Sequence, residues 1–313
     1  MYKNSIDEAY YNKMMSGLKR MSYEYDLVLR QMNEYKARDN KKIINRLKKE
    51  GIAGLIVNSL YAKKQEKIWT PKFDSKDIIN NVAPNYFSNH RIAVYTSLFG
   101  KYDKILEPIS APDNCDFYIY TDQELNEESI WEKVDLNPFS EVLANYSNTE
   151  KNRYFKMFPD VLFPEYEYSI YVDANILIIS DLTEYVNQLG EYDIGMFRHP
   201  LYTCIYDECE RCVNEKLITK DEGIKQESFL NRNNMPKDYG LLECCFIVRK
   251  HNSDICKKVM KEWWNLFING PKRDQISFTY VLYKNKIPSC EVTLPGDALN
   301  SHRGLKRFVH RNK

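Results

Sequence analysis

Five short apolar runs cross the last two-thirds of the chain, and stretches of helical spacing lie between and after them. The runs are RIAVYTSLFG (91–100), DFYIYTD (116–122), YSIYVDAN (168–175), DIGMFRHP (193–200) and ECCFIVRK (243–250). Each has the length of one buried strand and is bounded by polar residues, glycine or proline. Helical sequence runs from about Asn152 to Val161, and again through HNSDICKKVMKEWWNLFI (251–268) and RDQISFTYVLYKN (273–285). Strands that alternate with helices predict an α/β sandwich built on a largely parallel sheet.

The first 68 residues have a different character. Met14, Leu18, Met21, Tyr25, Val28, Met32 and Tyr35 alternate spacings of four and three, the seam of a heptad helix that can pair with another copy or pack on the same chain. The basic stretch 36–64, with Ile43, Ile44, Leu47, Ile52, Leu55 and Ile56, reads as a second amphipathic helix interrupted near Gly51. Its lysines form a solvated face or meet an anionic membrane surface. Residues 69–90 carry Pro, Asn and Asp without helical period and are expected to be a linker, leaving 91–313 as the α/β domain.

Composition narrows the function. Forty-five basic residues against forty-four acidic ones leave a charge of +1, which argues against nucleic acid as the partner. No run reaches the roughly 18 apolar residues of a membrane span, and MYKNSIDEAYYNK lacks the apolar core of a signal peptide. A cytoplasmic location is expected, with peripheral contact at the inner face of a membrane if the basic helix binds lipid. Eight dispersed cysteines read as reduced thiols rather than a disulfide framework. Cys209-x-x-Cys212, with Cys204, Cys244 and Cys245, is a weak zinc candidate because no second zinc-finger pair is present.

In an open α/β sheet ligands bind beyond the carboxyl ends of the strands. Three strand ends are candidates. After the first run come Thr96, Ser97, Gly100, Lys101, Tyr102 and Asp103, suited to a nucleotide; after the second come Tyr120, Thr121 and Asp122, an aromatic face and a carboxylate for a base or ribose. The third run passes directly into Asp173-Ala174-Asn175. In extended backbone, side chains two apart point the same way, so Asp173 and Asn175 would offer two oxygens to Mn²⁺ or Mg²⁺. Such an ion neutralises a diphosphate leaving group. Near the C-terminus, Asn300-Ser301-His302-Arg303-Gly304-Leu305-Lys306 adds an imidazole for the metal shell and, in Lys306, an ammonium for the diphosphate.

From about Arg91 to about Cys290 the chain resembles the glycosyltransferase-like family long catalogued as domain of unknown function 616, within the GT-A superfamily. NRYFKMFPDVLFPEYEYSIYVDANILI, FRHPLYTCIYDE, GLLECCFIVRKHN, and WWNLF followed by RDQISFTY carry the likeness. The resemblance implies a Rossmann-like nucleotide-sugar domain with Asp173 and Asn175 where many GT-A enzymes have Asp-x-Asp. Donor contacts are expected from Thr96, Tyr102, Asp103, Thr121, Asp122, Ala174, His199 and Lys306, and from Arg153 and Lys156, which share a helix face with Asn152. Glu243, Asp274 and Gln275 are the acid–base and anomeric-carbon candidates, with Asp274 or Glu243 as general base if the transfer inverts. Glu208 and Gln226 are weaker candidates in an insertion over the acceptor. Trp263 and Trp264 are a stacking platform or, for at least Trp264 by its spacing with Met260 and Phe267, core.

The expected activity is transfer from a nucleotide diphosphate-sugar, with a UDP-sugar as the expected donor, to a hydroxyl of a glycan or polysaccharide. A nucleotide-sugar hydrolase or nucleotidyltransferase would use the same groups. A noncatalytic nucleotide-sugar-binding scaffold would explain the missing second aspartate.

Overall fold

A computed structural model describes residues 91–308 except 101–102, 190–191, 295–297 and 300–303, all within the unit Ile68–Lys313. The heptad helix, the basic helix and the linker lie outside the described residues. All five apolar runs are strands: β1 (Ile92–Leu98), β2 (Cys115–Thr121), β4 (Tyr168–Val172), β6 (Ile194–Arg198) and β7 (Leu242–Arg249). Three short strands join them, β3 (Glu132–Lys133), β5 (Ile176–Ile178) and β8 (Leu305–Arg307). The main sheet has the order β3-β2-β1-β4-β7-β6. Its pairs are parallel from β3 to β4, whereas β7 runs antiparallel to both β4 and β6.

β1 and β7 are buried at every position, as central strands covered on two faces must be. Alternation then sorts their side chains. Tyr95, Tyr171 and Ile247 enter one core with Phe155, Trp263 and Phe278, while Val94, Ile170, Val172 and Phe246 enter the other with Ile176, Ile178 and Leu305. The first core is roofed by α1 (Asn148–Met157), and further along the chain come α2 (Ile205–Asn214), α3 (Lys220–Arg232), α4 (Asp254–Asn269) and α5 (Gln275–Lys284). A third core, containing Cys209, Cys212, Ile218, Leu230 and Ile276, forms where α2 and α3 meet α5. β5 and β8 make a separate antiparallel pair that sets Arg307 opposite Ile176.

Strand order reverses at β1, since β2 lies on one side of it and β4 on the other. The carboxyl ends of β1 and β4 therefore open a crevice, the place where such sheets bind ligands.

Candidate functional site

That crevice is a cleft of about 770 Å³, a size suited to a small organic ligand. Its floor is Ser97 to Gly100 from β1 and Asp173, Ala174 and Asn175 from β4; its walls include Asn152 and Arg153 of α1, His199 after β6, Glu243 of β7, and Arg273, Asp274 and Gln275 before and at the start of α5. Nine of the fourteen described positions from the expected set line it: Asp103, Arg153, Asp173, Ala174, Asn175, His199, Glu243, Asp274 and Gln275.

At the β1 end the backbone turns sharply. Gly100 has φ +70°, a conformation that favours glycine, and a Cβ there would displace the Asn148 side chain, whose Nδ2 would lie 2.7 Å away. Its amide donates to both carboxylate oxygens of Asp122, at 2.9 and 3.0 Å, and Gln123 Nε2 donates to the carbonyls of Gly100 and Asp103. Asp122 thus holds the loop rather than lining the cleft. Thr121 is buried, its hydroxyl accepting from Gln123 N. Thr96 is buried on the opposite face of β1 and Ser97 replaces it in the cleft, because successive strand residues face opposite ways. Tyr102 lies outside the described residues.

At the β4 end, the extended geometry expected for Asp173-Ala174-Asn175 gives way to a turn, closed by Ile176 N donating to Asp173 O. All three residues still line the cleft. Asp173 is 28% exposed at its side chain. Asn175 is buried, and its Nδ2 donates to Phe308 O at 2.8 Å while Phe308 N donates to Asn175 O. Of that amide, only the oxygen has the chemistry to ligate a cation. One carboxylate and one amide oxygen, completed by phosphate oxygens, is the kind of hard set that Mg²⁺ and Mn²⁺ take, so the two residues fit a divalent ion. His302 lies outside the described residues.

Lys306 does not reach the cleft. β8 presents it to solvent above the Phe308 ring and turns Arg307 inward, where its Nη2 donates to Glu243 Oε1 at 2.8 Å. Glu243 Oε2 accepts from Leu299 N at 2.9 Å. Arg307 is one cleft residue that the sequence reading missed; the alternation of a strand was the available signal, but three residues are too few to show it.

Asp274 stands between cations. Its Oδ2 is 2.9 Å from Arg153 Nε and 2.7 Å from Lys156 Nζ. Burial alone would raise its pKa; Arg153, Lys156 and Arg273 more than offset that and hold the carboxyl well below the usual carboxylate range. Such a group is a poor proton acceptor near neutral pH, which argues against the general-base role expected of it. Lys156 is fully buried and absent from the cleft wall, so it is a support for the site and not a donor contact. Trp263 is also core, its indole donating to Asp274 O at 3.0 Å, and Trp264 packs on Tyr146, Tyr154 and Phe158.

His199 closes the far end. Its Nδ1 accepts from the amides of Leu201 and Tyr202 at 3.3 and 3.0 Å, which leaves Nε2 to carry the proton as a donor. Burial pushes its pKa down to about 4, so the ring is neutral at physiological pH. Glu208 is buried and paired with Arg211 at 2.5 Å; it is Arg211 that lines the cleft. Gln226 lies apart from the cleft, donating to Ile276 O at 3.1 Å. Among the described residues no three His, Cys, Asp or Glu side chains cluster as metal ligands, and Cys204, Cys209 and Cys212 are buried free thiols.

The sheet order, the crevice at its reversal and the acidic turn at the end of β4 make a mixed α/β fold around a mostly parallel six-stranded sheet, the α/β class that the sequence implied. The model of the TOD1/MUCI70, glycosyltransferase-like domain matches residues 67–295. The chain belongs to that glycosyltransferase-like family, and the match covers the 91–290 stretch on which the resemblance rested. Among solved structures it is similar to one titled "WbbM bifunctional glycosytransferase apo structure", at 15% identity and a TM-score of 0.41, covering 68% of this chain and 40% of that one. No curated protein matches the sequence.

Proposed function

We propose that the chain transfers a sugar from a nucleotide diphosphate-sugar, a UDP-sugar in the first instance, to a hydroxyl of a glycan or polysaccharide acceptor. One observation carries the reading. At the switch point of the sheet, the partly exposed carboxylate of Asp173 shares a cleft with the guanidinium groups of Arg153, Arg273 and Arg307. A diphosphate needs cationic donors, and a divalent ion needs a carboxylate beside those phosphates.

Asp173 and Asn175 would hold Mn²⁺ or Mg²⁺, which when bound stabilises charge on the departing diphosphate. The remaining work falls to the protein. Ser97, Gly100 and Asp103 bound the end of the cleft that would take the nucleoside. Arg153, Arg273 and Arg307 would orient the diphosphate. His199, a neutral N–H donor, would meet a hydroxyl of the donor sugar or acceptor. Glu243 and Asp274 are each committed to cations, which favours a transfer that draws no proton onto either carboxylate. No described helix is long and apolar enough to cross a membrane. A cytoplasmic protein touching a membrane surface through residues 36–64, and self-association through the heptad seam, complete the proposal.

The test is calorimetric titration with UDP, GDP, CDP and ADP, each with and without Mn²⁺. Mn²⁺-dependent binding of one nucleotide names the donor base, and binding of none refutes the reading. Asp173→Ala should lower sugar transfer by about 10²–10³-fold while leaving the fold intact, since the side chain contributes little to the core. Undiminished transfer in that variant, measured beside its unchanged circular dichroism, would remove the metal assignment.

A further inference from the structure

Arg153 and Lys156 are one turn apart on α1 and reach the same oxygen of Asp274. The two cations are not equivalent. Lys156 is fixed at both ends. Its side chain is 1% exposed, its Nζ hydrogen-bonds Asp274 and stands 3.5 Å from Asp173 Oδ1, and the same ammonium lies over the Tyr171 ring. Its carbonyl accepts from Arg249 Nη1 at 2.8 Å and from the Tyr95 hydroxyl at 3.2 Å.

Arg153 is held by the charges of Asp274 and Asp173 rather than by well-formed hydrogen bonds to them. It lines the cleft with 19% of its side chain exposed. Its Nε is close to Asp274 but buried without a hydrogen bond of good geometry, and its Nη1 donates only to its neighbour Asn152. Arg273, the residue before Asp274, adds to the positive field there without forming an ion pair among the described residues. Asp274 thus meets two cations directly, one locked behind the wall and the other facing the opening.

We propose that Lys156 is a positioning residue, a fixed counter-ion that keeps Asp274 neutralised so that Arg153 is free to turn to the diphosphate of an incoming nucleotide. The inference rests on the nucleotide-sugar reading of the cleft. A nucleoside diphosphate brings further negative charge beside Asp173 and Asp274, and it can recruit only a cation able to leave its partner. A buried carboxylate without a counter-ion is strongly disfavoured, so without Lys156 the Arg153 guanidinium is retained by Asp274.

The experiment compares UDP binding, with Mn²⁺, by the wild type, Lys156→Met, Asp274→Asn and the double variant. Lys156→Met should weaken binding by about tenfold or more, the loss of one charge-assisted contact. Asp274→Asn should bind at least as tightly as the wild type, and adding it to Lys156→Met should restore affinity to within about threefold of wild type. A purely structural ion pair would show the same suppression in unfolding free energy, so affinities are compared at a temperature where circular dichroism shows every variant folded, and there a structural lysine leaves affinity unchanged. A double variant as weak as Lys156→Met, or an Asp274→Asn variant that binds more weakly, overturns the proposal. If Lys156→Met does not fold, Asp274→Asn decides alone by the same criterion. Wild-type protein that binds none of UDP, GDP, CDP or ADP refutes the nucleotide reading and this inference with it. Unchanged binding in Lys156→Met, with wild-type binding intact, refutes this inference only.

Discussion

Asn175 stands where the resemblance leads one to expect a second aspartate, and its surroundings give a reason for the amide. Its nitrogen donates to the carbonyl of Phe308, and the Phe308 amide returns a bond to the Asn175 carbonyl. An aspartate there could not donate and would set a carboxylate against a carbonyl oxygen. Asn175→Asp should therefore cost about 1–3 kcal/mol of stability, the penalty of a broken buried hydrogen bond, and should not tighten Mn²⁺ binding. Urea unfolding beside Mn²⁺ titration checks both; a stable variant with stronger metal binding would show that the amide is not a latch. The same residue scale is where sequence reasoning missed most. Thr96 against Ser97, and Lys306 against Arg307, are choices between adjacent residues on strands, and a shift of one position reverses the face. Composition says nothing about which face meets the ligand; only the neighbouring strands decide it. Lys156 misled for another reason, because on a helix read without its surroundings a lysine beside an arginine reads as a second surface cation.

At the scale of elements, the long signals were legible and the short ones were not. The five apolar runs are strands, and 251–268 and 273–285 hold α4 and α5, since each carries enough residues for its period to show. β3, β5 and β8, of two or three residues, show no period. Helical spacing alone starts α1 late, near 152, although Ser147 and Glu150 spell out its start: the hydroxyl accepts from the Glu150 amide at 3.3 Å and the carboxylate from the Ser147 amide at 2.9 Å. Thr219 and Glu222 do the same for α3. The cap of α1 matters to function because the helix carries Asn152, Arg153 and Lys156 into or behind the cleft. Ser147→Ala should lower stability by about 1 kcal/mol in urea unfolding. If α1 is the platform for the site, fraying of its first turn should also raise the Kd for the nucleotide. A variant destabilised by this amount with unaltered nucleotide affinity would separate the helix from the site.

At the scale of the whole molecule, the same burial that builds the site makes the fold sensitive to acid. His199 beside the cleft and His251, whose Nε2 pairs with Phe163 O at 2.8 Å, are both pushed by burial from 6.5 to about 4. In the unfolded chain each protonates as pH falls below about 6.5, whereas in the native fold both stay neutral until about 4. Unfolding in that window takes up protons, so stability declines as pH drops from about 6.5 towards 4, with a slope on the order of two protons. Asp274 acts in the same direction but at lower pH. Its native pKa lies below the unfolded value, so its contribution is fully present above the ordinary carboxylate range and is lost only as pH falls below it, beneath the histidine window. The expected profile has two acid limbs, the first set by imidazoles. Thermal unfolding across pH 3–8 for the wild type and for the single variants His199→Asn and His251→Asn separates them: each substitution should flatten the first limb by about one proton and leave the second in place. A first limb that survives both substitutions would assign it to carboxylates and would mean that the two imidazoles are not held neutral by the fold.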